Sequence, residues 1–174
     1  MRDVTEVLPA AGHPSKIEPS RVTLREITED TVVAIVKLSV AEHQKGFVAT
    51  NAVSLAQALF SKEAWYRGIY VGDEPAGFVM LYDESLREPR PEAPEIGVWR
   101  FMIDERFQGR GVGRVALQMV IDHVRAKGLF TTLELSYVPA EGNPEPFYRS
   151  LGFRPTGRID DGEVVLALDL GGPA

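Results

Sequence analysis

The chain has 174 residues, 44% hydrophobic and 25% charged, with a net charge of −6, which suits one globular domain, or one domain with a tail. It contains no cysteine, which excludes disulfides, zinc–thiolate sites, iron–sulfur clusters and a cysteine nucleophile. The acidic balance disfavours non-specific nucleic-acid binding and mildly favours a cationic substrate.

No apolar run approaches the ~18 residues that a bilayer-spanning helix needs. The N-terminus lacks a basic segment followed by an apolar core. The expectation is therefore a cytoplasmic protein with no membrane partner. Met1 to Ser20 carries Pro9, Gly12, Pro14 and Pro19 among few large apolar residues. It reads as a flexible N-terminal arm, 1–20, ahead of a single domain, 21–171.

Val22 to Ile27 alternates and is β-branched, which predicts a first strand. Thr28 or Asp30 is expected to cap a helix carrying Val32, Val33, Ile35, Val36 and Leu38. Asn51 or Ser54 is expected to cap a second helix, Leu55 to Glu63, with Leu55, Ala58 and Leu59 on one face. Tyr66 to Val71 and Phe78 to Tyr82 form a hairpin around the Gly72–Gly77 turn cluster. The proline-bearing stretch from Asp83 to Pro94 is a surface loop.

Ile96 to Ile103 is apolar on both sides, as a central strand covered on both faces must be. Period two puts Ile96, Val98 and Met102 on one face and Trp99, Phe101 and Ile103 on the other. A long amphipathic helix follows, Val112 to Lys127, with Gly128 as its C-cap signal. Leu133 to Val138 is a strand, and Glu145 to Leu151 a short helix ended by Gly152. Phe153 to Ile159 and Glu163 to Leu170 close the chain as a hairpin around Asp160-Asp161-Gly162, with Gly171 to Ala174 as tail. The order β-α-α-β-β-β-α-β-α-β-β is a mixed α/β (α+β) arrangement rather than a repeated βαβ.

The most informative stretch joins the central strand to the long helix. Gly109, Gly111 and Gly113 alternate there, flanked by Arg110 and Arg114. Glycine lets a backbone approach a ligand closely, and a helix N-terminus presents unpaired N–H groups at a positive dipole end. Together these suit a phosphate. The spacing is neither the G-x-G-x-x-G dinucleotide fingerprint nor a P-loop. On spacing alone, a tight turn without a ligand stays open beside a phosphate grip.

Gln108-Gly109-Arg110-Gly111-Val112-Gly113 resembles the Q/R-x-x-G-x-G/A signature of the GNAT superfamily of N-acetyltransferases. Pro146-Phe147-Tyr148-Arg149-Ser150-Leu151-Gly152-Phe153 resembles that family's second hallmark, a tyrosine-bearing helix followed by Leu-Gly-Phe and the last hairpin. The order of elements matches from about Val22 to Leu170. Details around Ser136-Tyr137-Val138-Pro139 and Pro144-Glu145-Pro146 are most similar to the spermine/spermidine (diamine) acetyltransferases.

The resemblance implies a central, mostly antiparallel mixed sheet of about seven strands with helices on both faces, and acetyl-CoA as co-substrate. It implies that backbone N–H groups of Gln108, Gly109, Arg110, Gly111, Val112, Gly113 and Arg114 hold the pyrophosphate. Phe101, Met102 and Ile103 would pair with the pantetheine arm through their main chain, in a gap where the strand ending near Val138 splays away. Tyr148 takes the role of general acid toward the leaving thiolate. The family's asparagine ahead of that tyrosine falls at Glu141 here, and Asn143 is the shifted candidate for holding the cofactor arm.

The general base is not marked by any motif. Glu134, which shares a strand face with Ser136, is the candidate base or substrate anchor. Arg100 interrupts an apolar strand and needs a partner, with Glu26, Glu95 or Glu134 as candidates. Trp99, Tyr82 and Tyr137 are candidate walls of an amine pocket. His13, His43 and His123 lack ligand spacing, so no metal is expected. The expected activity is acetyl transfer to a small amine such as spermidine or spermine. A protein or aminoglycoside-like amine, or a non-catalytic acyl-CoA-binding regulatory domain, stays open as an alternative. Homodimers are common in that family, so the resemblance admits one.

Overall fold

A computed structural model describes residues 15–171. His13, with the rest of residues 1–14, and the tail residues 172–174 lie outside that range.

Seven strands form one sheet: β1 (Val22–Arg25), β2 (Ala64–Val71), β3 (Glu74–Asp83), β4 (Ile96–Ile103), β5 (Thr132–Tyr137), β6 (Arg154–Asp160) and β7 (Glu163–Asp169), in the spatial order β1-β2-β3-β4-β5-β7-β6. Every neighbouring pair is antiparallel except β4 and β5. Four helices cover it: α1 (Val32–Val36), α2 (Asn51–Ala58), α3 (Val112–Lys127) and α4 (Glu145–Arg149). The mixed, mostly antiparallel seven-stranded sheet and its element order are those expected.

α3 lies on one face. Its Val112, Ala116, Leu117, Val120, Ile121 and Val124 are essentially fully buried against Val79, Leu81, Leu133 and Leu166 of the sheet. Each such valine, leucine or isoleucine contributes about 1.5–3 kcal/mol by leaving water. α1 and α2 cover the opposite face, over Tyr70, Phe78, Met80 and Met102.

β4 departs from strict alternation. Met80 pairs with Arg100 and Leu81 with Val98, so Trp99 is an extra residue opposite β3. Such a bulge slips the period-two pattern by one. Ile96 and Val98 therefore join Phe101 and Ile103 on the α3 side, while Trp99 and Met102 pack with α1 and α2. The face assignment expected from plain alternation is corrected by this single insertion.

The helix caps also differ from expectation. Thr50, rather than Asn51 or Ser54, caps α2 by accepting from the Val53 N–H at 3.4 Å. Asn51 is buried and donates to the Ile35 carbonyl at 2.8 Å, tying α2 to α1. Thr31, not Thr28 or Asp30, precedes α1, and its hydroxyl accepts from the Thr28 N–H at 2.8 Å. α2 ends at Ala58, so Leu59 is exposed rather than on the packed face.

Gly77 marks a close crossing. A Cβ built there would sit 2.5 Å from the Met102 carbonyl oxygen of the paired strand. Neither backbone can yield without breaking the β3–β4 ladder. Gly77→Ala is expected to cost about 1–3 kcal/mol of stability, as overpacking does. A fall in the urea midpoint at unchanged m-value checks this; an unmoved midpoint would show that β3 and β4 are not pressed together there.

Candidate active site

β4 and β5 are paired only at Gly97–Glu134 and Val98–Leu135. Beyond the bulge the two strands part, so the β4 main chain from Trp99 to Ile103 has β3 on one side and no strand on the other. The expected splay is present. Phe101, Met102 and Ile103 all line the groove of about 590 Å³ that opens there. Met102 turns its side chain to the α1/α2 core, where its sulfur meets Asn51 Nδ2 at 3.7 Å. Phe101 stacks on Phe147 of α4, with centroids 6.2 Å apart.

At the far end of β4, a single 3-10 turn (Glu105–Phe107) leads to the glycine turn. Gly109 and Gly111 adopt φ of 70° and 88°, left-handed values that glycine takes without strain. Gly111 is the residue immediately before α3. The first backbone bond into the helix runs from the Val115 N–H to the Gly111 carbonyl at 3.2 Å. Among the described residues, no N–H from Gly109 to Arg114 has a hydrogen-bond acceptor. This run of open donors at a helix start fits an anionic phosphate group. Gly113 serves close packing instead: a Cβ there would lie 3.4 Å from Ile103 and 3.5 Å from Phe147.

The side chains of the turn are occupied by the protein. Gln108 Nε2 donates to the Ile103 carbonyl at 2.8 Å and to Gln44 Oε1 at 2.7 Å, bracing the end of β4 and the α1–α2 segment. Arg114 holds the end of α4 through Ser150 Oγ at 2.6 Å. Arg110 Nε donates to the Ser15 carbonyl at 3.3 Å, while its own carbonyl accepts from the Ile17 N–H at 2.9 Å. The described end of the arm read as loose is thus docked on the glycine turn. It brings Lys16 into the wall of the groove. Nothing in its irregular sequence announces that cation. Asn143 also lines the groove, but its amide is spent locally: Oδ1 accepts from the Glu145 N–H at 3.0 Å and Nδ2 donates to the Ala140 carbonyl at 2.9 Å.

Tyr148 stands between two spaces. It lines the groove and also a second cavity of about 600 Å³, which Phe47, Val48 and Phe101 share with it. Its side chain is only 8% exposed, and among the described residues its hydroxyl has no hydrogen-bond partner. Burial, with the negative charge of Glu163 adding to it, pushes its phenol up to about 12. It therefore holds its proton throughout the ordinary pH range.

The second cavity continues into a third, of about 530 Å³, across Val98, Trp99, Leu135, Ser136 and Asp160. Glu134 lines this third space rather than the one beside Tyr148, and its carboxylate is paired with Arg158. Tyr82 and Trp99 also line it, meeting edge to face at 6.3 Å. Tyr137 lines neither space, and its hydroxyl donates to Glu145.

Arg100 finds none of its three expected partners. Glu26 pairs with Arg67 and Glu134 with Arg158, while Arg100 donates to the Trp99 carbonyl at 2.7 Å and to Gln57 Oε1 at 3.2 Å. The bulge at Trp99 turns it toward α2. Desolvation lowers its pKa, opposed by the charge of Glu163 in the same cavity. Asp104 is a turn residue, accepting from Ser39 and Arg106. His123 stacks on Trp65 at 4.5 Å, inside the sheet–helix layer. Among the described residues, no cluster of side chains could hold a metal ion, and no helix is long and apolar enough to cross a membrane.

Three acids of the β6–β7 hairpin, Asp160, Asp161 and Glu163, face the cavity beside Tyr148, and none has an ion-pair partner among the described residues. In the sequence they read only as charges of a hairpin turn.

The model of the acetyltransferase (GNAT) family matches residues 32–153. The chain is 30% identical over 160 residues to a spermine/spermidine N(1)-acetyltransferase of Bacillus subtilis, covering 86% of this chain and 99% of that protein. Its fold resembles the ribosomal-protein-S18-alanine N-acetyltransferase of Escherichia coli, at a TM-score of 0.59 and 18% identity over 86% of this chain and 94% of the other. It resembles equally the PaiA N-acetyltransferase of Thermoplasma acidophilum, solved with coenzyme A, at a TM-score of 0.62 and 12% identity over 85% of this chain and 98% of the other. The family match spans most of the described sheet and both sides of the glycine turn, and with it the chain belongs to the acetyltransferase (GNAT) family, an N-acetyltransferase whose co-substrate is acetyl-CoA.

Proposed function

We propose that the protein transfers the acetyl group of acetyl-CoA to a small polyamine such as spermidine or spermine, with residues 21–171 as one acetyltransferase domain. One observation carries this reading: the space beyond Tyr148 is lined by unpaired carboxylates of the β6–β7 hairpin. Against them stand two cations, Arg100 and Lys45, the latter already paired with Glu42, so the cleft keeps a negative balance, which raises the local concentration of a cation. The relatives at about 30% identity, named for spermine and spermidine, support the same class.

In this reading the open N–H groups from Gly109 to Arg114 hold the pyrophosphate, with Lys16 adding a positive charge, while the Gln108 N–H is already given to the Glu105 carbonyl at 3.4 Å. The open main chain of Phe101, Met102 and Ile103 pairs with the pantetheine arm, and Asn143 shapes the loop around it. That fixes the thioester beside Tyr148, which converts a bimolecular encounter into an oriented one. A neutral amine attacks the thioester carbonyl, and a main-chain N–H of the open β4 edge polarises its oxygen. Tyr148 gives its proton to the departing sulfur. Glu134, paired with Arg158, lines the outer cavity into which the far end of the acceptor extends.

Thiol release from acetyl-CoA across a panel of amines tests the assignment. Spermine and spermidine are expected to exceed a lysine peptide and an aminoglycoside at least ~10-fold in kcat/KM, the discrimination that about 1.4 kcal/mol of differential binding gives. Preference for either of the other amines would overturn the polyamine assignment. Tight acetyl-CoA binding without turnover of any amine would favour a regulatory acyl-CoA-binding domain.

A further inference from the structure

An ammonium ion has no lone pair, so an acceptor that arrives protonated must lose a proton before it attacks. No sequence motif supplies the group that takes it. Glu134 opens onto the outer cavity and is neutralised by Arg158. Among the groups that share the inner cavity with Tyr148, Glu163 is differently placed.

Glu163 is the first residue of β7, paired across the hairpin with Asp160. It is half-buried, and Ser136 Oγ of β5 donates to its Oε2. A hydroxyl fixes the carboxylate without neutralising it. Oε1 has no partner among the described residues, and no lysine or arginine comes within ion-pairing distance. The neighbouring phenol of Tyr148 is more than nine-tenths buried, lines this cavity and has no partner of its own. An open carboxylate oxygen and an open hydroxyl thus line one cavity, which adjoins the groove at Tyr148.

We propose that Glu163 receives the ammonium group of the acceptor and takes its proton, readying the amine to attack the thioester beside Tyr148. This rests on the reading of the cavity as the acceptor site. The ammonium gives one proton to the Glu163 carboxylate, which passes it to solvent. The nitrogen lone pair forms the N–C bond. The C–S bond then breaks with its electron pair on sulfur, which takes the Tyr148 proton. A second proton from the nitrogen restores the phenol. Products are the acetylated amine, coenzyme A and one released proton. Charged and titratable groups facing the cavity are Arg100 from β4, Lys45 from the α1–α2 segment, Tyr148 from α4, and Asp160 and Asp161 from the hairpin. Lys45 is already paired with Glu42 at 2.5 Å.

Glu163→Gln in the full chain tests the role, because the amide keeps shape and the Ser136 contact. Three readings are taken: acetyl-CoA Kd, spermidine Kd on the enzyme loaded with coenzyme A, and kcat against pH. The expected result is unchanged acetyl-CoA affinity, at least ~10-fold weaker spermidine binding, and kcat lowered ~100-fold, in the range for loss of a general base. The kcat–pH profile of Glu163→Gln is expected to differ in shape from that of the wild type, and Glu163→Asp to restore part of the rate. Wild-type activity with an unchanged Glu163→Gln profile and spermidine Kd would overturn the proposal and leave the polyamine function standing. A wild type that neither binds nor acetylates spermidine would overturn both. If Glu163→Gln misfolds, a Ser136→Ala enzyme whose profile and spermidine KM match wild type would also count against it.

Discussion

Tyr148→Phe is expected to lower kcat by ~10²–10⁴-fold, the contribution of a positioned general acid. Acetyl-CoA affinity should stay within about twofold, because the lost hydroxyl has no bond to break among the described residues. The ring stays packed between Phe147 and Phe153, whose centroids lie 5.3 Å and 6.1 Å from it. The variant therefore removes a proton without opening a cavity, and stability should hold. The pH dependence follows from the direction of the shift. Burial and the charge of Glu163 hold the phenol protonated up to about 12. An acid acts in its protonated form, so kcat should not fall with rising pH through the ordinary tyrosine range near ~10. Single-turnover acetyl transfer checks both points. A rate equal to wild type would remove Tyr148 from the chemistry; a basic fall near pH 10 would contradict the desolvated phenol.

How much of this was legible beforehand differs between the donor and the acceptor side. β4 and α3 have the bounds expected from sequence, because both announce themselves: one by a run of apolar residues closed by Asp104, the other by an apolar stripe stopped by Gly128. The glycine turn between them is local, so its geometry is written in six consecutive residues. The acceptor side is not local. Glu163 reaches the cavity only because β7 lies beside β5 and β6 folds back outside it. Along the chain it is one more charge after Asp160-Asp161-Gly162, where Asp161 at φ 45° and Gly162 at φ 83° form the tight turn.

Two other features escaped for related reasons. The bulge at Trp99 depends on the register with β3, which alternation in β4 alone does not reveal. That one residue separates Met102 from Ile96 and Val98 and sends Arg100 toward α2. Lys16 lies in a stretch with no periodicity, held by one backbone bond from Ile17 to the Arg110 carbonyl and one from the Arg110 side chain to the Ser15 carbonyl, neither of which uses a side chain of the arm. Local motifs thus identified the donor, and long-range pairing decided which charges meet the acceptor.

Gly111→Asp is expected to raise the acetyl-CoA Kd ~100-fold or more, about 3 kcal/mol, as like charges brought together in a binding site do. The backbone there sits at φ 88°, ψ −7°, and a Cβ would meet nothing within 4 Å. Aspartate enters the left-handed region more readily than most residues, so the fold should persist with only a modest loss of stability. The damage falls on the ligand, because the carboxylate projects among the open N–H groups from Gly109 to Arg114 and answers their charge from within. Gly111→Ala separates the two effects. It carries at least the backbone strain of aspartate, about 1–2 kcal/mol, with no charge. If the N–H run is the pyrophosphate site, alanine weakens acetyl-CoA far less than aspartate although its thermal stability is no higher. Calorimetric titration of both variants decides it: equal Kd values for the two would mean strain alone, and an aspartate variant that binds as wild type would place the phosphates elsewhere.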